Sequence, residues 1–264
     1  MHEEHGSWLN AVVNLLPEQA QHYVDVMVMN SWVVIALLVV LAWLGTRRRL
    51  ERPRGLQTLW EMYYGFLRNF CETEIGPGAE RYVPLLGTLL LYILLMNLLG
   101  LVPGFITPTM SLNMTAALAL VVFLAVQYFG FREQGWRYLL HFIGEPLGDS
   151  AAMKVLYVAM APIMLAVHII GEIAKPLSLA VRLFGNMFGE ETAIARMAAL
   201  GAMVMAAIYV PVPVQLINVL LHLLIGPIQA YIFFMLSAAY IQMATTHEGG
   251  DRHQHAGRRH AAAV

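Results

Sequence analysis

The longest uncharged run of the chain lies between Arg196 and Glu248, where 51 consecutive residues include no Asp, Glu, Lys or Arg. About 20 apolar residues suffice for a helix to cross the hydrocarbon core of a bilayer, so this run is long enough for two crossings. Only 12% of the 264 residues are charged, about half of the ~25% that is usual in soluble domains. Because these charges are too few to cover a water-facing surface, the sequence predicts an all-α, polytopic membrane protein.

Apolar stretches of sufficient length predict five crossings within a single membrane domain that covers the whole chain. The first three are predicted at residues 24–46, 82–106 and 111–131. The last two form a long helical hairpin over residues 154–246, because the Pro-Val-Pro sequence at 211–213 breaks helices. Both arms are longer than a perpendicular crossing requires, so we expect them to be strongly tilted.

The remaining segments are more polar. Residues 55–76 alternate apolar and charged side chains at helical spacing, which predicts an amphipathic helix in the membrane interface. Such a helix can be a connector packed on its own chain or a docking site for a partner. An outer N-terminal segment is predicted at 1–23, and a flexible cytoplasmic tail at 247–264. The tail's histidines lack a carboxylate or thiol framework, so no metal site is predicted there.

The distribution of basic residues predicts the orientation. Five arginines lie between residues 47 and 54, after the first crossing, and further basic residues follow the third. The intervening loop at 103–110 carries no charge. Since Lys and Arg are enriched in cytoplasmic loops, the N-terminus is expected outside and the C-terminus in the cytoplasm. The formal net charge of −1 gives no basis for binding nucleic acid.

The fourth crossing carries ionisable side chains at membrane depth, where each costs about 2.5 kcal/mol or more. Positions spaced by three or four residues place His168, Glu172, Lys175, Arg182 and Asn186 along one helix face. Glu172 and Lys175 have the i,i+3 spacing of a self-neutralising pair. For these two, a structural ion pair and a part in an ion path are both open at this point.

Arg182 has no acidic residue three or four positions away, and arginine does not lose its proton in proteins. The second, third and fifth crossings offer no acid, and the first offers only Asp25 at its outer end. A distant acid of the same chain is therefore a poor counter-charge. The pattern favours a partner outside this chain, or a water-filled cavity, beside Arg182.

The fifth crossing has a polar face that includes His222 and Gln229. Counting residues back from the Pro-Val-Pro turn predicts that Glu191 lies level with His222, and Arg182 level with Gln229. A histidine titrates closest to neutral pH, and His222 can be either a packed core residue or a proton relay.

These residues stand in recognisable motifs. The run KPLSLAVRLFGNMFGEE begins at Lys175, and NVLLHLLIGPIQAYIFFMLSAAYIQMA begins at Asn218. Upstream lie NLLGLVPG at 97–104 and SLNMTAALAL at 111–120. In motif content and order, from about residue 25 to 247, the chain resembles the family of membrane subunits a of rotary F-type ATP synthases.

The resemblance implies a stator that guides protons or sodium ions through two offset half-channels to and from the carboxylates of a rotating c-subunit ring. It gives Arg182 the role of the cation that faces the ring, releases the ion and blocks leakage. Asn186 and Gln229 match polar neighbours of that cation. Glu191 matches the outer half-channel carboxylate, and His222 matches its partner.

Two positions depart from the family pattern. Glu190 stands where many members have a small residue. This leaves open whether Glu190 or Glu191 is the carboxylate of the outer half-channel. His168 stands where relatives often have Glu, and Glu172 follows one turn later.

The resemblance further implies partners in the c-subunit ring, b-type peripheral stalk subunits and membrane lipid. It implies a bacterial plasma (inner) membrane location, no cofactor and no enzymatic activity in isolation. Two alternatives are a secondary transporter or channel with its own mid-membrane ion site, and an intramembrane enzyme. The first usually shows internal repeats, and the second would need a motif such as HExxH or GxSxG, which the sequence lacks.

Overall fold

The structure is a computed structural model. It describes residues 26–47, 55–102, 105, 107–135, 151–208 and 214–245. The predicted N-terminal segment at 1–23, most of the arginine-rich stretch, the Pro-Val-Pro turn and the tail at 247–264 lie outside the described residues. The inferences drawn from those segments stay predictions.

Every regular element among the described residues is helical, which confirms the predicted fold class. The α-helices are α1 (Val26–Thr46), α2 (Leu56–Glu74), α3 (Val83–Leu99), α4 (Leu112–Gln134), α5 (Ala151–Ile208) and α6 (Val214–Thr245). Short 3-10 turns lie at Ala79–Arg81 and Pro108–Met110.

Four of these helices, α1, α4, α5 and α6, are long and apolar enough to cross a membrane. Helix α3 is apolar but has 17 residues, fewer than the ~20 of a full perpendicular crossing. It ends at Leu99, earlier than the predicted 82–106, because the next three amides bond to carbonyls only three residues back. The count of five crossings therefore stays a prediction.

Helix α6 packs against α3, α4 and α5, and α4 also packs against α5. The centre of this bundle is apolar, with fully buried side chains from each partner. The core includes Leu86, Ile93 and Met96 of α3, Val122 of α4, Leu183 and Met187 of α5, and Phe233, Phe234 and Ile241 of α6. This packing places the inward faces of α5 and α6 against each other, as the predicted hairpin requires.

Helix α2 docks one side on its own chain, as a connector would. Tyr63 Oη donates to the Gly87 carbonyl at 2.6 Å, and Trp60 Nε1 donates to the Leu41 carbonyl at 3.3 Å. Leu67 and Cys71 are buried on this side. The apolar residues predicted to form one face of α2 therefore lie on two sides of the helix: some are packed against the protein, and several face away from it. The exposed apolar residues of α2 are Leu56, Leu59, Met62, Tyr64 and Phe66.

Burial raises the pKa of the Cys71 thiol to about 11. Because the thiolate is the nucleophile, only about 0.1% of this thiol is reactive at pH 8. We expect Cys71 to react at least tenfold more slowly with a maleimide in native membranes than a cysteine on the exposed side of α2. The matched control is Asn69→Cys in a Cys71→Ser background, since Asn69 is exposed on the same helix. Equal labelling of the two at pH 8 would show that Cys71 is accessible.

Candidate functional site

Polar side chains of α5 lie in three groups along the helix. The Glu172 cluster comprises Gln127, Glu172 and Lys175. The arginine face comprises the exposed residues around Arg182. The histidine cluster lies about two turns further along α5, at Glu190 and Glu191, where polar groups of α3, α6 and the loop before α4 converge.

In the Glu172 cluster, both carboxylate oxygens of Glu172 are engaged. Gln127 Nε2 of α4 donates to Oε2 at 3.0 Å, and Lys175 Nζ donates to Oε1. This confirms the ion pair predicted from the i,i+3 spacing. The Lys175 Nζ atom also lies 6.0 Å from the centroid of the Tyr240 ring. The cluster therefore links α5 to α4 through a polar group with no net charge.

A small cavity of about 10 Å³ adjoins this cluster, lined in part by Glu172, Lys175 and Tyr240. Its size suits a single water molecule. His168 lies one turn before Glu172, and its Nδ1 is 3.0 Å from the Met164 carbonyl oxygen of the preceding turn. His168, Glu172 and Lys175 thus lie on adjacent turns of α5, as the sequence predicts. The fold brings Gln127 of α4 to Glu172, which the sequence did not predict.

The arginine face consists of small exposed residues on both sides of one cation. Arg182 is exposed, and among the described residues none forms an ion pair or hydrogen bond with it. Three small residues share this face: Ser178, four positions before Arg182, and Gly185 and Gly189, three and seven positions after it. All three are exposed. A Cβ at either glycine would meet nothing within 4 Å. Stripes of small residues allow another helix to approach closely, so Arg182 is in reach of such a helix.

Beside this face, α5 and α6 are joined by an amide pair. Asn186 Nδ2 donates to Gln229 Oε1 at 2.5 Å, and Gln229 is buried. The sequence places Gln229 level with Arg182, whereas the structure places it level with Asn186, one turn further along. The two predicted polar neighbours of Arg182 are therefore brought together, and their bond fixes the α5 turn that carries Arg182.

The histidine cluster is buried. His222 is 3% exposed, with Nε2 at 2.8 Å from the Asn97 carbonyl oxygen and Nδ1 at 2.9 Å from Glu190 Oε1. The Glu190 side chain is 1% exposed, and neither carboxylate oxygen has a hydrogen bond of regular geometry among the described residues; Oε1 has the 2.9 Å ionic contact with His222. A burial this complete is costly for a polar group unless it is paired, and His222 is the partner that Glu190 has.

The resemblance pairs Glu191 with His222, whereas in the structure the carboxylate that lies against the imidazole belongs to Glu190. Successive residues of an α-helix point about 100° apart, so only one of the two glutamates can face α6 directly. Glu191 is partly exposed, and its Oε1 is 3.5 Å from the Thr107 hydroxyl in the loop before α4. Counting residues from the turn cannot resolve this rotation.

Asn97 is an organising residue that the sequence analysis missed as a site residue. Its Nδ2 donates to the Gly226 carbonyl at 3.1 Å, and its Oδ1 accepts from the Thr109 hydroxyl at 2.8 Å. The glycine allows this approach, since a Cβ at Gly226 would lie 3.3 Å from Asn97 Cβ. The sequence did offer one signal for this role, because Asn97 is the single amide side chain in an otherwise apolar helix.

Gly100 allows a second close approach. A Cβ at this position would lie 2.0 Å from the Thr107 hydroxyl oxygen and 3.2 Å from His222 Nε2. The main chain of α3 can therefore end directly against the imidazole. Within the described part of the chain, no three His, Cys, Asp or Glu side chains converge as metal ligands would.

Comparison with known proteins gives a consistent set of relatives. The sequence profile of the family described as ATP synthase A chain matches residues 28–242. The chain is similar to ATP synthase subunit a of Geobacter sulfurreducens, with 38% identity over 212 residues, which cover 80% of this chain and 84% of the relative. It is also similar to ATP synthase subunit a 1 of Syntrophotalea carbinolica, with 39% identity over 225 residues, 85% and 88% of the two chains. The subunit a of Protochlamydia amoebophila is 34% identical over 247 residues, 90% and 89% of the two chains.

The position of Asn97 predicts a stability effect. Replacing Asn97 with Ala leaves the Thr109 hydroxyl and the Gly226 carbonyl without their buried partner, at about 1–3 kcal/mol for each unsatisfied group. We expect the Tm of the detergent-solubilised protein to fall by several degrees. The control is Asn113→Ala, because Asn113 is exposed near the start of α4. An equal Tm for the two variants would contradict the assigned role of Asn97.

Proposed function

This chain belongs to the ATP synthase A chain family, the family of subunit a of F-type ATP synthase, and from this premise we propose that it supplies two offset half-channels to the c-subunit ring. Ions would enter through one half-channel, bind to a ring carboxylate, travel with the rotating ring and leave through the other. The chain would be the stationary part of this motor. Family membership also speaks against the transporter and the intramembrane enzyme as alternatives.

The observation that carries the proposal is the exposed Arg182 on an apolar helix, with no counter-charge among the described residues. An unpaired cation in hydrocarbon is expensive, so an anion from another subunit is the expected neighbour. The small residues Ser178, Gly185 and Gly189 beside it would let a ring helix approach closely. A carboxylate carried on that helix would be the natural counter-charge of the guanidinium.

The physical role of Arg182 follows from this placement. A ring carboxylate that faces lipid has to be neutral, by protonation or by ion binding, because a bare charge there is costly. Next to a fixed guanidinium the same carboxylate is more stable ionised. Arg182 would therefore release the ion from each passing site, and its positive charge would repel cations that move directly between the half-channels. The bond between Asn186 and Gln229 supports this role by fixing the adjoining turn of α5.

The half-channels are proposed on either side of Arg182 along α5. On one side, Glu191 would exchange ions with outer water, next to Glu190 and His222. On the other side, His168 and the Glu172 cluster with its water-sized cavity would border the inner path. With the N-terminus outside a bacterial inner membrane, the membrane potential drives cations inward, and each elementary charge gains about 2.3 kcal/mol per 100 mV.

The assembly around the chain is part of the same proposal. The c-subunit ring would face Arg182, and b-type peripheral stalk subunits would hold the chain stationary against the rotation. The ion would be a proton or Na⁺, because the groups that select between them would lie on the ring. The path through this chain needs only water and exchangeable carboxylates.

We expect Arg182→Ala to abolish ATP-driven ion pumping in inverted membrane vesicles, by at least about 100-fold, while the complex stays assembled. The reason is that no other described cation of α5 occupies the arginine face to release the ring-bound ion. Arg196→Ala is the matched control, since Arg196 is exposed on the same helix, and it should pump at a rate close to that of the unmodified protein. Normal pumping by Arg182→Ala in a complex that contains the ring would refute the proposal.

A further inference from the structure

The contacts of His222 define where its hydrogen atoms lie. Nε2 is 2.8 Å from the main-chain carbonyl of Asn97, and a carbonyl can only accept a hydrogen bond. The Nε2 atom therefore carries a hydrogen and donates it to this oxygen. Because this carbonyl belongs to the last turn of α3, the packing of α3 against α6 determines that Nε2 is the nitrogen that donates to the main chain.

The other nitrogen, Nδ1, lies 2.9 Å from Glu190 Oε1. A bare nitrogen lone pair and a bare carboxylate oxygen repel each other at this distance, so one of the two atoms carries a proton. If the proton is on Nδ1, the two residues are an imidazolium and a carboxylate; if it is on Oε1, they are an imidazole and a carboxylic acid. In both cases the pair as a whole carries no net charge.

The surroundings isolate this pair from water. Both side chains are nearly inaccessible, and Glu190 Oε2 meets no donor among the described residues. The titratable groups that interact electrostatically with His222 are Glu190 and Glu191, both from α5. Helix α3 contributes the hydrogen bond to the Asn97 carbonyl. Glu191 differs in being partly exposed, with only the long contact to Thr107. The two adjacent glutamates therefore have different access to water.

We propose that Glu190 and His222 form a closed, charge-neutral pair that keeps its shared proton throughout transport, and that Glu191 alone exchanges ions with water. This inference rests on the proposed function and deepens it. Glu190 is then a positioning residue, which holds this turn of α5 against α3 and α6.

The test is a double-mutant cycle in the assembled ATP synthase, with ATP-driven proton pumping measured in inverted vesicles across a pH series. Glu190→Gln and His222→Gln should each slow pumping by tenfold or more, because each leaves one buried partner uncompensated. The double variant Glu190→Gln/His222→Gln should recover to within about threefold of the unmodified rate, because both partners are removed together. Its pH profile should keep the unmodified shape.

Glu191→Gln provides the contrasting measurement. It should slow pumping more than Glu190→Gln does, and the double substitution at 190 and 222 should not rescue it. A double variant as slow as Glu190→Gln, together with near-normal pumping by Glu191→Gln, would overturn the inference and make Glu190 the exchanging residue. If the single variants fail to assemble, the cycle is measured as assembly yield: recovery by the double variant supports the pair, and equal failure of all three refutes it.

Arg182→Ala in the same assay separates this inference from the proposed function. Loss of pumping in Arg182→Ala, with no recovery in the double variant, would refute only the pairing of Glu190 with His222. Normal pumping in Arg182→Ala would refute the proposed function itself.

Discussion

The cost of placing an uncompensated charge in hydrocarbon determines how this chain arranges its few ionisable residues. A carboxylate or ammonium group at membrane depth costs several kcal/mol unless it is paired or hydrated. The Glu172 cluster meets this constraint through Lys175 and Gln127, and Glu190 meets it through His222. Arg182 is the exception among these charged residues of α5, since it faces outward without a partner in the described chain. Arg182 is therefore the group for which we propose a counter-charge from another subunit.

The same constraint acts on the uncharged polar groups and explains the local backbone. Asn97 can be buried in α3 because Gly226 and Thr109 satisfy its amide. Glycine at 100 and 226 gives the main chains room to approach, so these bonds form at normal length. The close approach then delivers the last carbonyl groups of α3 to the imidazole of α6. Small residues and hydrogen bonds together hold helices that lipid tails alone would not drive together.

The sequence was sufficient for features that depend on local spacing or on bulk composition. Apolar runs predicted the all-α class, and the i,i+3 spacing predicted the Glu172–Lys175 pair. Contacts between residues far apart in sequence were harder: Asn97 and His222 are separated by 125 positions, and no periodicity within one helix reveals such a contact. The sequence left the choice between Glu190 and Glu191 open, because it depends on helix rotation, which residue counting does not measure. The roles of these residues in ion transport remain proposals.

The adjacency of Glu190 and Glu191 carries an electrostatic consequence for the proposed ion path. In the proposed pairing, Glu190 and His222 hold one proton together, so the pair adds no net charge beside Glu191. The residue that the resemblance marks as unusual is then neutralised by the imidazole, while the more exposed glutamate keeps its access to water. Under this arrangement, a chain with two glutamates in sequence still presents one exchangeable carboxylate to water.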